Sequence, residues 1–235
     1  SEGSPTVLDR VNLKIMPGES VALVGPSGSG KSTLVNMFNI LYHPTEGEVR
    51  FDGELSTGLD LEFIRRKVAM ILQDNSIFTG TVLENITFRH SGIGLEQVVH
   101  AAKQIGAHEF IERLPGGYDF IIGERGANLS MGQRQLISFV RALVFDPDIL
   151  VLDEATSSID PETESVIQYA IEKLIEKRTS IIIAHRLSTI RHANQVLVMD
   201  HGEIKEIGTH DELLEKQDGW YKKLHEYQFA RMAEI

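Results

Sequence analysis

One segment of the sequence has the residue types and spacing of a phosphate-binding loop. Residues 25–32 read Gly-Pro-Ser-Gly-Ser-Gly-Lys-Ser, which fits the pattern Gly-x-x-x-x-Gly-Lys-Ser/Thr. Glycines let backbone N–H groups curl around phosphate oxygens without a Cβ in the way. We expect the Lys31 ammonium to neutralise the β and γ phosphates of a nucleotide and the Ser32 hydroxyl to bind Mg²⁺. The pattern alone names no nucleotide, because several classes of phosphate-handling protein share it, and a plain Gly/Ser turn before a helix is the alternative.

A second chemical group stands at the end of an apolar run. Residues 149–152 are Ile-Leu-Val-Leu, and Asp153 and Glu154 follow directly. Ligand groups in α/β proteins lie at the carboxyl ends of parallel strands. We expect Asp153 to lie beside the metal and Glu154 to orient or deprotonate an attacking water. The alternative is that both carboxylates only solvate the end of a strand.

The segments around these groups predict an α/β fold. Residues 20–24, 68–72, 149–152, 180–183 and 196–199 are short apolar runs typical of buried strands, and segments of helix length separate the last three. That alternation predicts right-handed crossovers and a parallel sheet covered on both faces. Alternating apolar residues at 7, 11, 13 and 15 predict a half-buried N-terminal strand, and residues 95–114 predict helices interrupted near Gly106.

Composition excludes several classes of protein. The 235 residues carry 23 lysines and arginines against 34 aspartates and glutamates, a net charge of −11, which argues against a general nucleic-acid binder. The absence of cysteine removes disulfides, thiolate metal sites and cysteine nucleophiles. The longest apolar run has five residues, whereas a membrane helix needs about 20. The sequence begins with Ser rather than Met and carries no signal-peptide pattern, so we expect a cut or processed chain.

With these motifs the chain resembles the nucleotide-binding domain of ABC transporters over nearly its whole length. The phosphate loop and Asp153-Glu154 resemble the family's Walker A and Walker B motifs, Gln73 its Q-loop glutamine, and His185 its switch histidine. Residues 158–160 resemble its D-loop, ending at Asp160. Read singly, Gln73 could be a solvated amide, Asp160 a helix cap and His185 an ordinary strand-edge histidine. Their common order in the chain favours the family.

A signature segment for this family is present with one departure. Leu129-Ser130-Met131-Gly132-Gln133 stands where the family carries Leu-Ser-Gly-Gly-Gln. Ser130 and Gln133 also form a capping box for the helix that follows. The resemblance implies that this helix terminus faces the γ-phosphate held by a second subunit. Met131 places a long side chain where the family has glycine. The N–H still serves if the backbone there has negative φ and the side chain points away, and the half site is weakened otherwise; we expect a competent site.

The resemblance implies a set of residues for each role. The catalytic set is Glu154, His185, Lys31 and Gln73, and the metal set is Ser32, Gln73 and Asp153. The nucleotide-binding set is Gly25, Pro26, Ser27, Gly28, Ser29, Gly30, Lys31, Ser32, Thr33, Gln73, Ser130, Gly132, Gln133 and Asp160. The cofactors are ATP and Mg²⁺. Other histidines, including His43, His100 and His210, are expected at the surface.

The resemblance also implies an architecture and partners. We expect one ABC ATPase domain, with an ATPase core and its β region in residues 1–73 and 147–235 and a helical subdomain in about 74–146. The fold class is α/β, a P-loop NTPase core with a parallel sheet, an N-terminal antiparallel β region and an inserted helical subdomain. The Gly123 to Gly126 segment favours an exporter.

The partners implied are a second nucleotide-binding domain, in a homo- or heterodimer, and transmembrane domains at the cytoplasmic face of the membrane. The net charge of −11 argues against a nucleic-acid partner. A soluble ABC-type ATPase and a P-loop kinase are the alternatives. Long heptad arms would favour the first, and dependence on an acceptor would favour the second.

Overall fold

The structure, a computed structural model, describes residues 6–72, 76–153, 161–176 and 178–229. The strands of these residues are β1 (Ser20–Val24), β2 (Arg50–Phe51), β3 (Glu54–Leu55), β4 (Val68–Ile71), β5 (Gly80–Thr81), β6 (Ile121–Ile122), β7 (Ile149–Asp153), β8 (Thr179–Ile183), β9 (Gln195–Asp200) and β10 (Glu203–Gly208). The helices are α1 (Lys31–Phe38), α2 (Leu61–Lys67), α3 (Val82–Thr87), α4 (Leu95–Gln104), α5 (His108–Glu112), α6 (Met131–Val144), α7 (Pro161–Ile175), α8 (Leu187–His192), α9 (His210–Glu215) and α10 (Trp220–Phe229).

The central sheet has six strands in the order β10-β9-β1-β8-β7-β4. All neighbouring pairs run parallel except β9 and β10, which form an antiparallel hairpin. The strands β2 and β3 form a small antiparallel pair, as do β5 and β6. The predicted α/β fold class is therefore confirmed.

Both faces of the sheet are covered, as the continuous apolar runs predict. Along β1, Ala22 and Val24 face one buried cluster, while Val21 and Leu23 face the other. The first cluster includes apolar residues of α3, α4, α6 and α7, and the second includes those of α1 and α2. Successive side chains of a strand point to opposite faces, so a strand that is apolar at every position needs a layer on each side.

In the sequence, the helices of residues 82–144 come after β4 and before β7. These two strands are neighbours in the sheet. Their apolar faces pack in the same cluster as β1 and β7, and α6 contributes the fully buried Phe139 and Val140. The predicted break near Gly106 is present, because α4 ends at Gln104 and α5 begins at His108. The division into an ATPase core and a helical subdomain stays a prediction.

The prediction of an N-terminal strand from periodicity is wrong. Residues 7–15 are not assigned as a strand, although Leu8, Val11, Leu13 and Ile15 are partly buried against the second cluster. The alternation at 11, 13 and 15 therefore reports which side chains face the core rather than backbone pairing, and Val7, which is predicted with them, is exposed. Among the described residues before α2, the antiparallel pairing is that of β2 with β3.

In the closing helix α10, the spacing of Trp220, Leu224 and Tyr227 at i, i+4 and i+7 predicts a stripe that packs on the protein, but the two ends of that stripe are exposed. The exposed fractions are 49% for Trp220 and 72% for Tyr227, whereas Tyr221 is completely buried. The backbone N–H of Tyr221 donates to Glu206 Oε2 at 2.9 Å, and its hydroxyl lies 2.7 Å from His210 Nδ1. His210 is itself 8% exposed, so its expected place at the surface is also wrong.

Among the described residues, no helix is long and apolar enough to cross a membrane.

Candidate functional site

The phosphate loop joins β1 to α1, as the motif requires. Gly25, Gly28 and Gly30 have φ values of +151°, +78° and +99°. A Cβ at Gly25 would lie 2.1 Å from the carbonyl oxygen of Met199, and one at Gly30 would lie 2.8 Å from Leu8 Cδ2. A larger residue at either position would push these neighbours apart. The glycines therefore permit both the left-handed backbone and the close packing that shape the loop.

Lys31 is held inside this loop. Its ammonium donates to the carbonyl oxygens of Gly25 and Pro26, both at 2.9 Å, and to Ser29 Oγ at 3.3 Å. Lys31 is 8% exposed, and burial lowers its pKa, with the Asp153 carboxylate partly opposing that shift. Three oxygens of the loop thus surround the Lys31 ammonium, so the loop is folded around a single positive charge.

Three neighbouring strands bring the other groups to the same edge. In the sheet, β8 lies between β1 and β7, so Leu23 is opposite Ile183 and Ile183 is opposite Asp153. The phosphate loop follows β1, His185 follows β8, and Asp153 ends β7. Parallel strands place these three segments side by side at their carboxyl ends, which is where α/β sheets bind ligands.

A cavity of about 560 Å³ lies at this edge. Its lining includes Gly25, residues 27–33 of the loop and helix α1, Asp153 and His185, together with the apolar Val7 and Ile183. The structure thus brings together the predicted Ser27, Gly28, Ser29, Gly30, Lys31, Ser32, Thr33, Asp153 and His185. Pro26 lies outside the lining but binds Lys31 through its carbonyl oxygen.

The charges of this cavity influence one another. Burial raises the pKa of Asp153, while His185 and Lys31 partly offset that effect. Burial and the Lys31 charge lower the pKa of His185, with Asp153 opposing. The imidazole is therefore neutral at neutral pH and offers one donor and one acceptor. Ser32 and Asp153 supply hydroxyl and carboxylate oxygens, the ligand types that Mg²⁺ prefers.

The signature residues lie elsewhere. Ser130 caps α6, since its Oγ accepts from the Gln133 backbone N–H at 3.2 Å and Gln133 Oε1 accepts from the Ser130 N–H at 2.9 Å. This confirms the predicted capping box. Neither residue, nor Gly132, is among those that line the cavity.

Met131 is the first helical residue of α6, and it is not among the described non-glycine residues with positive φ. Its side chain is 43% exposed. The backbone here needs no glycine, so the departure from the family's pattern leaves the helix terminus intact.

The α6 terminus is anchored to the segment before it. Arg134 donates to the carbonyl oxygens of Leu129, at 2.7 Å, and Gly126, at 3.2 Å. Gly126 has a φ of +72°, and a Cβ there would lie 2.6 Å from Arg134 Cδ. Residues 123–126, which favoured an exporter, are thus tied directly to the start of the signature helix.

Three predicted residues, Gln73, Glu154 and Asp160, lie outside the described residues. Conversely, sequence reasoning did not name Val7 and Ile183 as lining residues, and it missed the contact of Gly202 with the loop, described below. No motif marks these positions. The His-Gly pair at 201–202 after an apolar run is the one signal that could have placed a turn there.

Comparison with known proteins identifies the family. The family model described as ABC transporter matches residues 8–157. The chain belongs to the ABC transporter family. Its recognition as an ABC-type nucleotide-binding domain is therefore confirmed.

Relatives within the ABC transporter family include proteins of toxin export. The chain is 47% identical over 225 residues to the leukotoxin translocation ATP-binding protein LktB of Mannheimia glucosida and to the leukotoxin export ATP-binding protein LtxB of Aggregatibacter actinomycetemcomitans. Each alignment covers 96% of this chain and 32% of the relative, so the chain spans about a third of their length.

A solved structure of a bacterial Atm1-family ABC exporter with ATP bound is also similar. It matches with a TM-score of 0.85 and 38% identity, over 97% of this chain and 39% of that one.

Proposed function

We propose that this chain is the motor domain of an ABC exporter and that two such domains, identical or different, enclose two ATP molecules between them. The observation that carries the proposal is the separation of two half sites. The phosphate loop, Asp153 and His185 share one cavity, and the Ser130 helix terminus does not line it. A complete site then needs the signature of a second subunit, with Ser130, Gly132 and Gln133 facing the γ-phosphate.

Within one half site each residue has a distinct task. The backbone N–H groups of residues 25–33, other than Pro26, and the Lys31 ammonium hold the phosphates, because a glycine-rich loop before a helix concentrates donors and positive potential. Ser32, Asp153 and Gln73 would hold Mg²⁺, which when bound neutralises charge on the β and γ oxygens. Glu154 would accept a proton from the attacking water, His185 would contact the γ-phosphate, and Asp160 would belong to the nucleotide-binding set.

The direction of transport is supported by the relatives. LktB and LtxB carry translocation and export in their names, and the similar solved structure is an exporter. Since the chain spans about a third of such relatives, we propose that transmembrane domains outside this chain carry the substrate. The motor domain would then act at the cytoplasmic face of the membrane.

Replacing Glu154 with Gln tests the catalytic assignment. Removal of a general base slows catalysis by about 10²- to 10⁴-fold. We expect hydrolysis to fall by that factor while ATP binding persists and a dimer accumulates with ATP. The assays are phosphate release without an added acceptor and sedimentation with and without ATP. Acceptor-dependent turnover would instead indicate the kinase alternative.

The matched control is Glu96→Gln, which removes the same charge from an exposed position on α4. It should hydrolyse ATP at the parent rate. Parent-rate hydrolysis by Glu154→Gln would refute the role of Glu154 as general base.

A further inference from the structure

The β9–β10 hairpin turns beside the phosphate loop. Its two central residues, His201 and Gly202, have φ values of +48° and +80°. Positive φ at both positions is the requirement of a type I′ turn, whose twist matches that of the flanking strands. His201 Nδ1 lies 2.8 Å from Asp200 Oδ2 at the base of the turn. Because β9 pairs with β1, this turn lies at the same edge of the sheet as the loop after β1.

Gly202 joins two segments of chain through its own backbone. Its N–H donates to the carbonyl oxygen of Ser29, within the phosphate loop, at 3.0 Å. Its carbonyl oxygen accepts from the Asp9 N–H at 2.9 Å. One peptide unit on each side of Gly202 thus connects the N-terminal segment, residues 7–9, to the phosphate loop.

The N-terminal segment approaches Gly202 too closely for any side chain. A Cβ at position 202 would lie 2.3 Å from the carbonyl oxygen of Val7 and 3.0 Å from its carbonyl carbon. On the other side, a Cβ at Gly30 would lie 3.2 Å from the same Val7 oxygen. Residues 7 and 8 therefore lie between two glycines, one of the turn and one of the phosphate loop.

The position of this segment matters for the cavity, because Val7 lines it. The loop glycines, Lys31, Asp153 and His185 take the phosphates and their cation under the proposed function. Val7 offers an apolar side chain, 52% exposed, which suits contact with the sugar and base rather than with a phosphate.

We propose that Gly202 is a positioning residue, which holds residues 7–9 against the phosphate loop and thereby sets the nucleoside end of the ATP site. This inference rests on the proposed function, since it takes ATP as the ligand of the cavity.

The test compares two ligands on the 235-residue chain. Gly202→Ala should force the Val7 carbonyl away by roughly 1 Å, a displacement that can cost on the order of 100-fold where it reaches reacting groups. Here the displacement affects Val7 at the nucleoside end of the cavity, so we expect the dissociation constant for Mg-ATP to rise about tenfold or more. The dissociation constant for inorganic triphosphate with Mg²⁺ should change by less than about threefold. Titration calorimetry measures both.

The chain supplies a matched control in another hairpin. Asp52 and Gly53, between β2 and β3, have φ values of +48° and +85°, and a Cβ at Gly53 meets nothing within 4 Å. Gly53→Ala therefore adds the same backbone strain without a collision, and both dissociation constants should match the parent. Gly202→Asn is the complement, because Asn tolerates positive φ but keeps the collision. It should behave like Gly202→Ala.

Leu8→Ala provides a variant that leaves the turn unchanged, in case both substitutions at Gly202 prevent folding. Leu8 Cδ2 packs against Gly30, so its removal loosens residues 7–9 from the loop. It should weaken ATP binding about threefold or more and spare triphosphate.

The possible outcomes distinguish a failure of the role of Gly202 from a failure of the proposed ATP-binding function. Parent-like ATP binding by folded Gly202→Ala and Gly202→Asn overturns the inference, and so does parent-like ATP binding by Leu8→Ala if neither folds. Equal weakening of ATP and triphosphate overturns it as well, because the effect would then act through Ser29 on the phosphates. A parent chain that binds neither ligand refutes the proposed function itself.

Discussion

Two variants that each destroy a different half of the site provide a sharp test of a site shared between chains. Lys31→Ala removes the buried cation that the phosphate loop encloses, but it leaves the signature helix unchanged. Ser130→Asp leaves the loop unchanged. Aspartate is as good an N-cap as serine, so its carboxylate can still accept from the Gln133 N–H and α6 should keep its first turn.

The size of the effect follows from charge. At about 4 Å and an effective dielectric constant near 20, two unit charges repel by about 4 kcal/mol. A carboxylate at the Ser130 position facing the γ-phosphate should therefore slow hydrolysis on the order of 1,000-fold. Gly94→Asp is the matched control. Gly94 precedes α4, its N–H donates to Gln97 Oε1 at 2.9 Å, and a Cβ there meets nothing within 4 Å.

Mixing the two variants distinguishes a site formed by two chains from a site formed within one chain. In a mixed pair, the Ser130→Asp chain supplies an intact phosphate loop and the Lys31→Ala chain supplies an intact signature, so one of two sites is complete. Random pairing makes half of the dimers mixed, and independent sites then give about a quarter of the parent rate. The assay is phosphate release at saturating ATP as the mixing ratio varies. A rate that never exceeds the average of the separate variants would refute the shared site.

Two further predictions concern the buried contact between His210 and Tyr221. Arg191 Nε donates to His210 Nε2 at 3.3 Å, so the neutral imidazole carries its proton on Nδ1 and donates to the Tyr221 hydroxyl. Tyr221→Phe leaves this donor unsatisfied and should cost about 1–3 kcal/mol in urea unfolding, whereas Tyr42→Phe, 54% exposed, should cost under about 0.5. Burial and Arg191 also lower the pKa of His210 below its unfolded value, as they do for His225, so the unfolded chain binds more protons. The free energy of unfolding should therefore fall as pH drops below about 6.5, and it should fall less steeply in His210→Gln. Urea titrations at about pH 7.5 and about pH 5.5 measure both. An equal loss of stability in the parent and in His210→Gln would contradict the role of His210.

Sequence patterns predicted the site best where the chemistry is local. The loop from Gly25 to Ser32 encodes its own geometry, because positive φ, a helix start and a cation all fall within eight residues. The capping box at Ser130 and Gln133 is equally local. The meeting of Asp153 and His185 at one edge needed only the rule that parallel strands align their carboxyl ends.

Features set by contacts between distant segments could not be predicted in this way. The spacing of Trp220, Leu224 and Tyr227 predicts one face of α10, but a helix with several apolar residues has more than one candidate face. Tyr221 decides the outcome, because its side chain is buried and its hydroxyl lies 2.7 Å from Nδ1 of the buried His210. Gly202 shows the same limit, since nothing in its neighbours reveals that Val7, nearly 200 residues earlier, lies against it.

Under the proposed function, the separation of the two half sites explains how ATP could drive motion. Among the described residues, the predicted site has two helix N-termini that favour anions, one behind Gly30 and one behind Ser130, and they do not share a cavity. The γ-phosphate can use both only when two chains close on it, so ATP binds the closed pair more tightly than the open one. ADP lacks that phosphate and loses the preference. A ligand shifts an equilibrium only by its differential affinity for the two states, so the work available per cycle is bounded by the difference between ATP and ADP in favouring the closed pair. Sedimentation of Glu154→Gln with each nucleotide measures that difference.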